Sequence, residues 1–207
     1  MLKKAQSRTR EEPEVRREQI VDEAIRIIGQ RGYYGFTVQQ IAEECGITNG
    51  GLLYHFGSKE QLLLAVLQER DRREIAMVRS VAGPAAQEAG RTDSSLGAVL
   101  ELLRAIVARS TAEPELARLY TVLQPEALDP AHPAHDYFRA REVMVLKSFA
   151  KMVAPHVADP HSTARQIYAL IEGLVLRWLR ADQAFDIVSE SDRAVAMLLP
   201  GRGAHRR

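Results

Sequence analysis

Apolar residues recur at the spacing of an α-helix along almost the whole chain, and this spacing limits the fold more than any other feature. In the first segment, for example, Ile20, Ala24 and Ile28 fall on one face of a helix. Glycine and proline interrupt the pattern, and we find no segment with the strict apolar-polar alternation that is typical of a strand. The sequence therefore predicts an all-α protein.

The interruptions divide the pattern into nine predicted helices. Thr37 and Thr48 are favourable caps at helix starts, while Gly32 and Gly46 are expected to end the helices that precede them. A stretch rich in Gly, Pro, Ala, Asp and Ser, residues 83–95, is expected to be a loop. The predicted helices span residues 14–32, 37–45, 48–56, 58–81, 95–111, 114–127, 134–153, 161–181 and 188–199.

The composition is that of a globular protein with a core of its own. Of the 207 residues, 46% are hydrophobic and 27% are charged, and the formal net charge is +1. The single cysteine, Cys45, excludes an internal disulfide and a multi-thiolate metal site. No apolar stretch approaches the roughly 20 residues of a membrane span, and the basic start lacks the apolar segment of a secretory signal. We expect a cytoplasmic protein with no membrane partner.

The segment TVQQIAEECGITNGGLLYHFGSK, residues 37–59, carries the most specific signal. Thr37 and Gln40 form a capping box at the start of a short helix. Gly46 then allows a turn with positive φ, and Thr48 caps a second short helix. Two short helices joined in this way predict a helix-turn-helix, whose second helix can enter the major groove of DNA. The alternative is a helical hairpin that serves stability alone.

The residue types in this segment suit the crossing of two helices. Ala42 is small where the helices meet, and Ile41, Ile47 and Leu52 are expected to form a buried wedge that fixes their angle. The second helix should then expose a face of small and polar residues. These are Thr48, Asn49, Gly50, Gly51, Tyr54 and His55.

An ordered series of apolar, glycine and polar residues extends this signal on both sides. It comprises Ile20, Ala24, Gly32-Tyr33-Tyr34-Gly35-Phe36-Thr37, Ile41-Ala42, Gly46-Ile47-Thr48, Gly50, Leu52, Tyr54-His55-Phe56 and Ser58-Lys59-Glu60. With this series the chain resembles, from Arg17 to about Leu67, the tetracycline-repressor (TetR) family of transcriptional regulators. The resemblance implies an all-α protein with an N-terminal three-helix helix-turn-helix domain and a C-terminal helical bundle, forming an Ω-shaped homodimer.

The resemblance also implies how the chain is divided. We expect a basic flexible arm, a DNA-binding domain, a ligand-binding and dimerisation domain, and a basic tail. Their ranges are 1–13, 14–60, 61–200 and 201–207.

Charge alone does not identify the DNA-binding surface. Residues 1–60 contain nine basic and nine acidic side chains. Phosphate contacts must therefore come from a local arrangement, in which Lys59 and the basic arm face the duplex. The basic residues of the arm are Lys3, Lys4, Arg8 and Arg10.

Matching positions in the family imply roles for individual residues. Thr37 and Lys59 correspond to phosphate contacts at helix N-termini, and His55 corresponds to a contact with the DNA backbone. Tyr54 follows Leu53, which stands where members commonly carry a tyrosine, so Tyr54 is expected either to touch phosphate or to pack on the first helix. The positions that read base edges correspond to Gln39, Asn49, Gly50 and Gly51.

Polar residues within apolar helices of the C-terminal part are candidates for a ligand pocket. Arg104, Tyr120 and Gln124 lie among leucines and valines, where polar groups could orient a small molecule. The same pattern also describes ordinary solvent-facing positions. His135 and Tyr137 are further pocket candidates.

Two of the later helices carry broad apolar stripes. A helix that is apolar over so wide an arc packs on its own domain and on a partner, and Gly173 allows a close approach. The family resemblance implies a four-helix dimer interface made by this pair of helices from each subunit. The expected interface residues are Phe149, Ile167, Leu170, Ile171, Leu174 and Trp178.

Other kinds of site find little support in the sequence. His132, His135 and Asp136 fit no familiar zinc spacing, and the start of a helix accounts for them. We recognise no nucleophile-base pair or catalytic carboxylate pair, and Cys45 is expected to pack as a small hydrophobic residue. We therefore expect no metal, no cofactor and no enzymatic activity.

Together these observations predict a sequence-specific DNA-binding transcriptional regulator. We expect a repressor that is released from a pseudo-palindromic operator in double-stranded DNA by a small-molecule effector of unknown identity. The alternative is a DNA-binding regulator that has no small-molecule ligand and is controlled by a protein partner.

Overall fold

The computed structural model describes residues 13–82 and 95–199, and within these ranges every regular element is an α-helix. The basic arm, the loop and the C-terminal tail expected from the sequence lie outside the described residues, apart from their edges. The helices are α1 (Pro13–Gly35), α2 (Val38–Glu44), α3 (Asn49–Phe56), α4 (Lys59–Ala82), α5 (Leu96–Ala112), α6 (Pro114–Glu126), α7 (His135–Val153), α8 (Pro160–Arg180) and α9 (Ile187–Leu198). The predicted all-α class is confirmed.

The end of α1 differs from the prediction. Gly32 has φ 70° and ψ 179°, a non-helical conformation that glycine adopts at little steric cost. The helix was expected to stop there, but after this kink helical structure resumes and continues to Gly35. The kink turns the chain toward Phe36 and the start of α2.

The first hydrophobic core joins the N-terminal helices to α6. Ile28 of α1, Ile41 of α2, Leu52 of α3, Leu62 of α4 and Leu119 of α6 are all completely buried in it. The helix-turn-helix therefore packs as part of a unit that includes a helix from beyond residue 60.

The second core is formed by α5, α7, α8 and α9. Leu103 of α5, Val153 of α7, Ile167 of α8 and Val195 of α9 are almost fully buried in it. Because α6 contributes its buried residues to the first core and also contacts α8, it connects the two halves of the chain.

The backbones of α1 and α6 approach closely at Gly29. A β-carbon at this position would lie 3.1 Å from the backbone nitrogen of Leu119 and 3.3 Å from its α-carbon. Backbone atoms cannot rotate away as a side chain can, so a larger residue would separate the two helices. Glycine is needed here to let α1 lie directly on α6.

No helix in ranges 13–82 and 95–199 is both long and apolar enough to cross a membrane.

Candidate nucleic-acid interface and ligand cavity

Local hydrogen bonds fix both ends of α2. The Thr37 hydroxyl accepts a bond from the Gln40 backbone nitrogen at 3.2 Å, and the Gln40 side-chain oxygen accepts one from the Thr37 nitrogen at 3.1 Å. This is the capping box that the sequence predicts. At the other end Gly46 has φ 64°, and the Ile47 nitrogen donates to the Ala42 carbonyl at 2.9 Å.

The second helix of the motif begins as predicted. Thr48 adopts an extended conformation, and its hydroxyl accepts a hydrogen bond from the Gly51 nitrogen at 3.0 Å. Leu52 and Phe56 are buried on the inner side of α3, while Ile41 and Ala42 are buried on α2. These contacts hold the two helices in a fixed crossing and turn their other faces outward.

The outward face, which we call the α2–α3 surface, contains most of the residues expected to contact DNA. A β-carbon at Gly50 would have no atom within 4 Å, so another molecule could approach the backbone there closely. Gly51 and His55 are half-buried at the edge of the surface. Its exposed members are Thr37, Gln39, Thr48, Asn49, Gly50 and Tyr54.

Tyr54 does not pack on α1. Its side chain is 86% exposed, and its ring makes an edge contact with the neighbouring His55 at 5.6 Å between centroids. The buried aromatic residue of α3 is Phe56 instead, and the guanidinium of Arg17 lies 4.9 Å from its ring centre. Of the two alternatives for Tyr54, packing on the first helix is therefore wrong.

Two of the predicted DNA contacts, Gln39 and Lys59, already donate side-chain hydrogen bonds within the protein. The Gln39 amide donates to Glu43 at 2.7 Å, so a base contact by Gln39 would compete with this bond. The Lys59 ammonium donates to the Phe36 carbonyl at 2.7 Å and lies over the rings of Tyr33 and Phe36. Burial lowers the pKa of Lys59. Two of its three N–H donors remain for a phosphate.

Glu126 connects the end of α6 to the segment that precedes α2. Its carboxylate accepts a hydrogen bond from the backbone nitrogen of Tyr33 at 2.7 Å, beside the Gly32 kink. The Tyr33 hydroxyl donates to Glu60 at the start of α4 at 2.9 Å. Burial and this bond raise the pKa of Tyr33 to about 12. The sequence gives no sign of the Glu126 contact, because the partners lie 93 positions apart.

His132 completes this contact region. Its ring packs edge-on against Tyr33 and Tyr34, and its Nδ1 accepts a hydrogen bond from the Ala134 nitrogen at 3.1 Å. The other ring nitrogen, Nε2, is buried, has no hydrogen-bond partner among the described residues and lies 3.8 Å from Glu126. Burial lowers the pKa of this histidine. Within the described ranges no group of three or more His, Cys, Asp or Glu side chains could hold a metal ion.

Helices α4 to α8 surround a cavity of about 1100 Å³. Tyr120 and Gln124 line it, at positions where the sequence suggested pocket residues. Much of its wall is apolar and comes from α4, α5 and α7. Examples are Ile75, Val78, Leu102, Ile106 and Val145.

The other three pocket candidates lie outside this cavity, contrary to expectation. Arg104 is exposed on the far side of α5, where it forms an ion pair with Asp192 of α9. His135 donates from Nδ1 to the Ala127 carbonyl at 2.8 Å, in the connection between α6 and α7. Tyr137 lies behind the cavity wall, where its hydroxyl donates to Asp71.

An ion-pair network forms the wall near α4 and α7. Arg141 is 6% exposed and binds Asp71 at 2.9 Å, the Tyr120 hydroxyl at 2.9 Å and Glu74. Arg70 also pairs with Glu74 and with Asp71. Burial acts to raise the pKa of Asp71, but hydrogen bonds from Tyr137 and Arg141 outweigh it and lower that pKa. Tyr137 donates to Asp71 at 2.6 Å and so supports this network from behind.

A second polar group faces the cavity from α6 and α8. The Gln124 amide donates to the Glu172 carboxylate at 2.7 Å. Nearby, the Tyr168 hydroxyl is buried and has no hydrogen-bond partner among the described residues. Burial and the neighbouring Tyr120 and Glu172 raise the pKa of Tyr168.

Four residues expected at a dimer interface belong to the core of their own chain. Phe149 is 9% exposed, Ile167 0%, Ile171 8% and Trp178 3%, so little surface remains for a partner. The apolar stripe of α8 is wide, and its centre faces inward toward the second core. Leu170 and Leu174 at its margin are half-buried.

The outward faces of α7 and α8 carry different residues. Val143 and Met144 of α7 are 67% and 60% exposed, and Ala169 and Gly173 of α8 are also exposed. Met144, Ala169 and Gly173 line the cavity as well, together with the exposed Ser148 and Lys151. The cavity therefore opens onto this face of the two helices, at an opening we call the α7–α8 mouth.

Comparisons with known proteins agree with these observations. Residues 20–66 match the family model "Bacterial regulatory proteins, tetR family". The chain is 23% identical over 198 residues to the HTH-type transcriptional regulator TtgR of Pseudomonas putida, covering 91% of each chain. It also resembles the crystal structure of a putative TetR-family transcriptional regulator from Rhodococcus sp., with 25% identity, a TM-score of 0.68 and coverage of 89% of this chain and 98% of that chain.

A further solved structure shares the fold. It is AibR in complex with isovaleryl coenzyme A and operator DNA, with 22% identity, a TM-score of 0.68 and coverage of 90% of this chain and 99% of that chain. The family resemblance found in residues 17–67 is confirmed by the family match and the relatives. By its N-terminal segment and by its overall fold, the chain is similar to the TetR family of bacterial transcriptional regulators, whose members are DNA-binding proteins and not enzymes.

Proposed function

We propose that this chain is a homodimeric repressor that a small molecule releases from a pseudo-palindromic operator. One observation carries the proposal: α6 lines the cavity with Tyr120 and Gln124, and its last residue, Glu126, binds the segment that leads into the helix-turn-helix. The same helix is therefore in contact with both the candidate effector site and the DNA-binding unit.

On the DNA side, α3 would enter the major groove with the α2–α3 surface against the duplex. Asn49, Gly50 and Gly51 at the start of α3, together with Gln39, are the proposed base contacts. Thr37, Thr48, Tyr54, His55 and Lys59 are the proposed contacts with phosphate and the DNA backbone. The exposure of the open Gly50 position and of Tyr54 supports this assignment.

Dimerisation would use the outward faces of α7 and α8. Exposed Val143 and Met144, with half-buried Leu170 and Leu174, provide apolar surface there, and Gly173 has no atom within 4 Å of its β-carbon position. Two such subunits would place their α3 helices about 34–36 Å apart, one turn of DNA, on an inverted repeat.

The cavity is the proposed effector site. Its volume of about 1100 Å³ lies at the upper end of the roughly 300–1000 Å³ typical of small-molecule pockets, and its lining combines apolar walls with a few polar groups. AibR, which shares the fold, has been crystallised with isovaleryl coenzyme A and operator DNA, which supports control of such proteins by a small molecule.

To release the protein from DNA, a ligand must bind more tightly to a conformation of the dimer in which the spacing of the two α3 helices does not fit the operator. A ligand shifts this equilibrium only by its difference in affinity for the two conformations. Since Gly29 lets α1 lie directly on α6, and Glu126 binds Tyr33, a displacement of α6 would carry the N-terminal helices with it.

In vitro selection from random duplexes with the purified protein tests the proposal. We expect an enriched inverted repeat, and Asn49→Ala should weaken its enrichment while Gln68→Ala, at an exposed position on α4, should not. A folded dimer that enriches no sequence, with or without ligand, would contradict the proposal. A thermal-shift screen then separates effector control from control by a protein, because a cavity ligand must raise the melting temperature.

A further inference from the structure

The buried charges near α4 and α7 cancel one another. Arg70 and Arg141 are two cations, and Asp71 and Glu74 are two anions, joined in one network of ion pairs. Arg141 also donates to the Tyr120 hydroxyl. No guanidinium in this network lacks a carboxylate, so none is available to neutralise an acidic ligand.

None of the other described charged residues that line the cavity is a buried cation without a carboxylate partner. Arg109 pairs with Glu113 at 3.1 Å. Lys151 and Glu101 are both exposed at the edges of the cavity, where water screens them, and their charges are opposite.

Glu172 is the exception to this balance. Its carboxylate accepts a hydrogen bond from the neutral Gln124 amide, and no lysine, arginine or histidine forms an ion pair with it in the described part of the chain. The Tyr168 hydroxyl, buried and without a hydrogen-bond partner there, lies on the same helix one turn away. The cavity therefore contains a carboxylate that has no cationic partner among the described residues, beside a buried tyrosine hydroxyl.

We propose that the cavity takes an organic cation, a protonated amine on an apolar body, with its ammonium group between the Glu172 carboxylate and the Tyr168 hydroxyl. This inference rests on the proposed function, since it treats the cavity as the effector site, and adds the chemical class of the effector. The ammonium N–H groups would donate to both oxygens, and the nearby rings of Tyr168 and Phe149 favour a cation.

The apolar part of the cavity lining can bind the hydrocarbon part of such a ligand. Ile75 and Val78 of α4, with Leu102 and Ile106 of α5, form an apolar wall that can bury a hydrocarbon chain. A carboxylate or phosphate in the same place would meet Glu172 without any free cation to offset the repulsion. A neutral molecule would leave the charge of Glu172 unpaired.

Three probes with the same chain and different head groups test this inference on the full-length protein. They are octylammonium, 1-octanol and octanoate, measured by isothermal titration calorimetry at neutral pH. We expect octylammonium to bind about tenfold or more tightly than 1-octanol, as a charge-assisted hydrogen bond implies, and octanoate to bind more weakly than either.

Matched variants identify the carboxylate responsible. Glu172→Gln keeps an oxygen that can accept the bond from Gln124, so the fold should be retained while the preference for octylammonium over 1-octanol disappears. Tyr168→Phe should reduce the same preference in part. Glu101→Gln removes an exposed carboxylate at the cavity edge and should leave the preference unchanged.

Several results would overturn the inference: octanoate binding most tightly, no binding of octylammonium at millimolar concentration, or a cation preference that survives in Glu172→Gln. Operator binding is measured separately with the enriched duplex. If octylammonium binds through Glu172 but leaves operator affinity unchanged, the site stands and release by this ligand fails. If another compound releases operator DNA and octylammonium does not bind, the proposed function stands and the inference of a cationic ligand fails.

Discussion

Replacing Glu126 with alanine tests the contact between α6 and the helix-turn-helix most directly. The carboxylate accepts a hydrogen bond of 2.7 Å from the Tyr33 nitrogen. Tyr33 is 8% exposed, so water can reach that nitrogen only in part once the carboxylate is gone. Glu126→Ala should therefore destabilise the protein without changing the residues that face DNA.

The expected magnitude follows from the burial of both partners. Removing the acceptor from a buried donor costs about 1–3 kcal/mol, and a bond to a charged group lies in the same range. The Glu126 side chain is 26% exposed, so partial hydration favours the lower half of this range, about 1–2 kcal/mol. For a chain of this length, that corresponds to a fall in melting temperature of roughly 2–8 °C.

Urea unfolding followed by circular dichroism measures this difference. Glu126→Gln should lose less than Glu126→Ala, because an amide oxygen can still accept the bond. Gln68→Ala, at an exposed position on α4, is the control and should stay within about 0.5 kcal/mol of the parent. If Glu126→Ala is no less stable than this control, the bond to Tyr33 does not stabilise the fold and our account of the link is wrong.

Three further predictions concern DNA and pH. Asn49→Ala and Gln39→Ala should each relax sequence preference by about 1–3 kcal/mol in competition binding, with a smaller effect for Gln39 because it already bonds to Glu43. Lys59→Ala should weaken binding to all sequences alike and reduce the salt slope by about 1; a changed base preference would refute the phosphate assignment. Because burial lowers the pKa of His132, its neutral form stabilises the fold above the ordinary histidine pKa, and this contribution is lost as pH falls. His132→Asn should make urea midpoints less sensitive to acid between neutral pH and pH of about 5, and an unchanged pH profile would contradict this.

Local patterns made the helix-turn-helix predictable. The caps at Thr37 and Thr48 and the turn at Gly46 depend on residues within three or four positions of one another, and the structure reproduces all three. Tyr54 is different, because its orientation depends on which aromatic residue of α3 fills the space under Arg17. Phe56 occupies that place, and local spacing cannot rank the two.

Contacts between distant parts of the chain were not predictable in the same way. The stripe on α8 correctly indicated an apolar face but not its direction, so Ile167 and Trp178 were expected at an interface and lie in the core. Arg104 was expected in the pocket because it lies among leucines, yet its direction on α5 leads to Asp192. The spacing of apolar residues indicates that one face of a helix is apolar. It does not indicate which other helix packs on that face.

The α7–α8 mouth has a consequence for how a ligand would be held. Its exposed lining residues, Met144, Ser148, Lys151, Ala169 and Gly173, lie on the two helices through which we propose that the subunits pair. A partner seated on these helices would close the opening, so ligand escape would be slower from the dimer than from the monomer. Closing the mouth slows ligand entry as well as escape, so pairing would set how fast the ligand exchanges, and it would change the dissociation constant only if the ligand also binds the paired state more tightly.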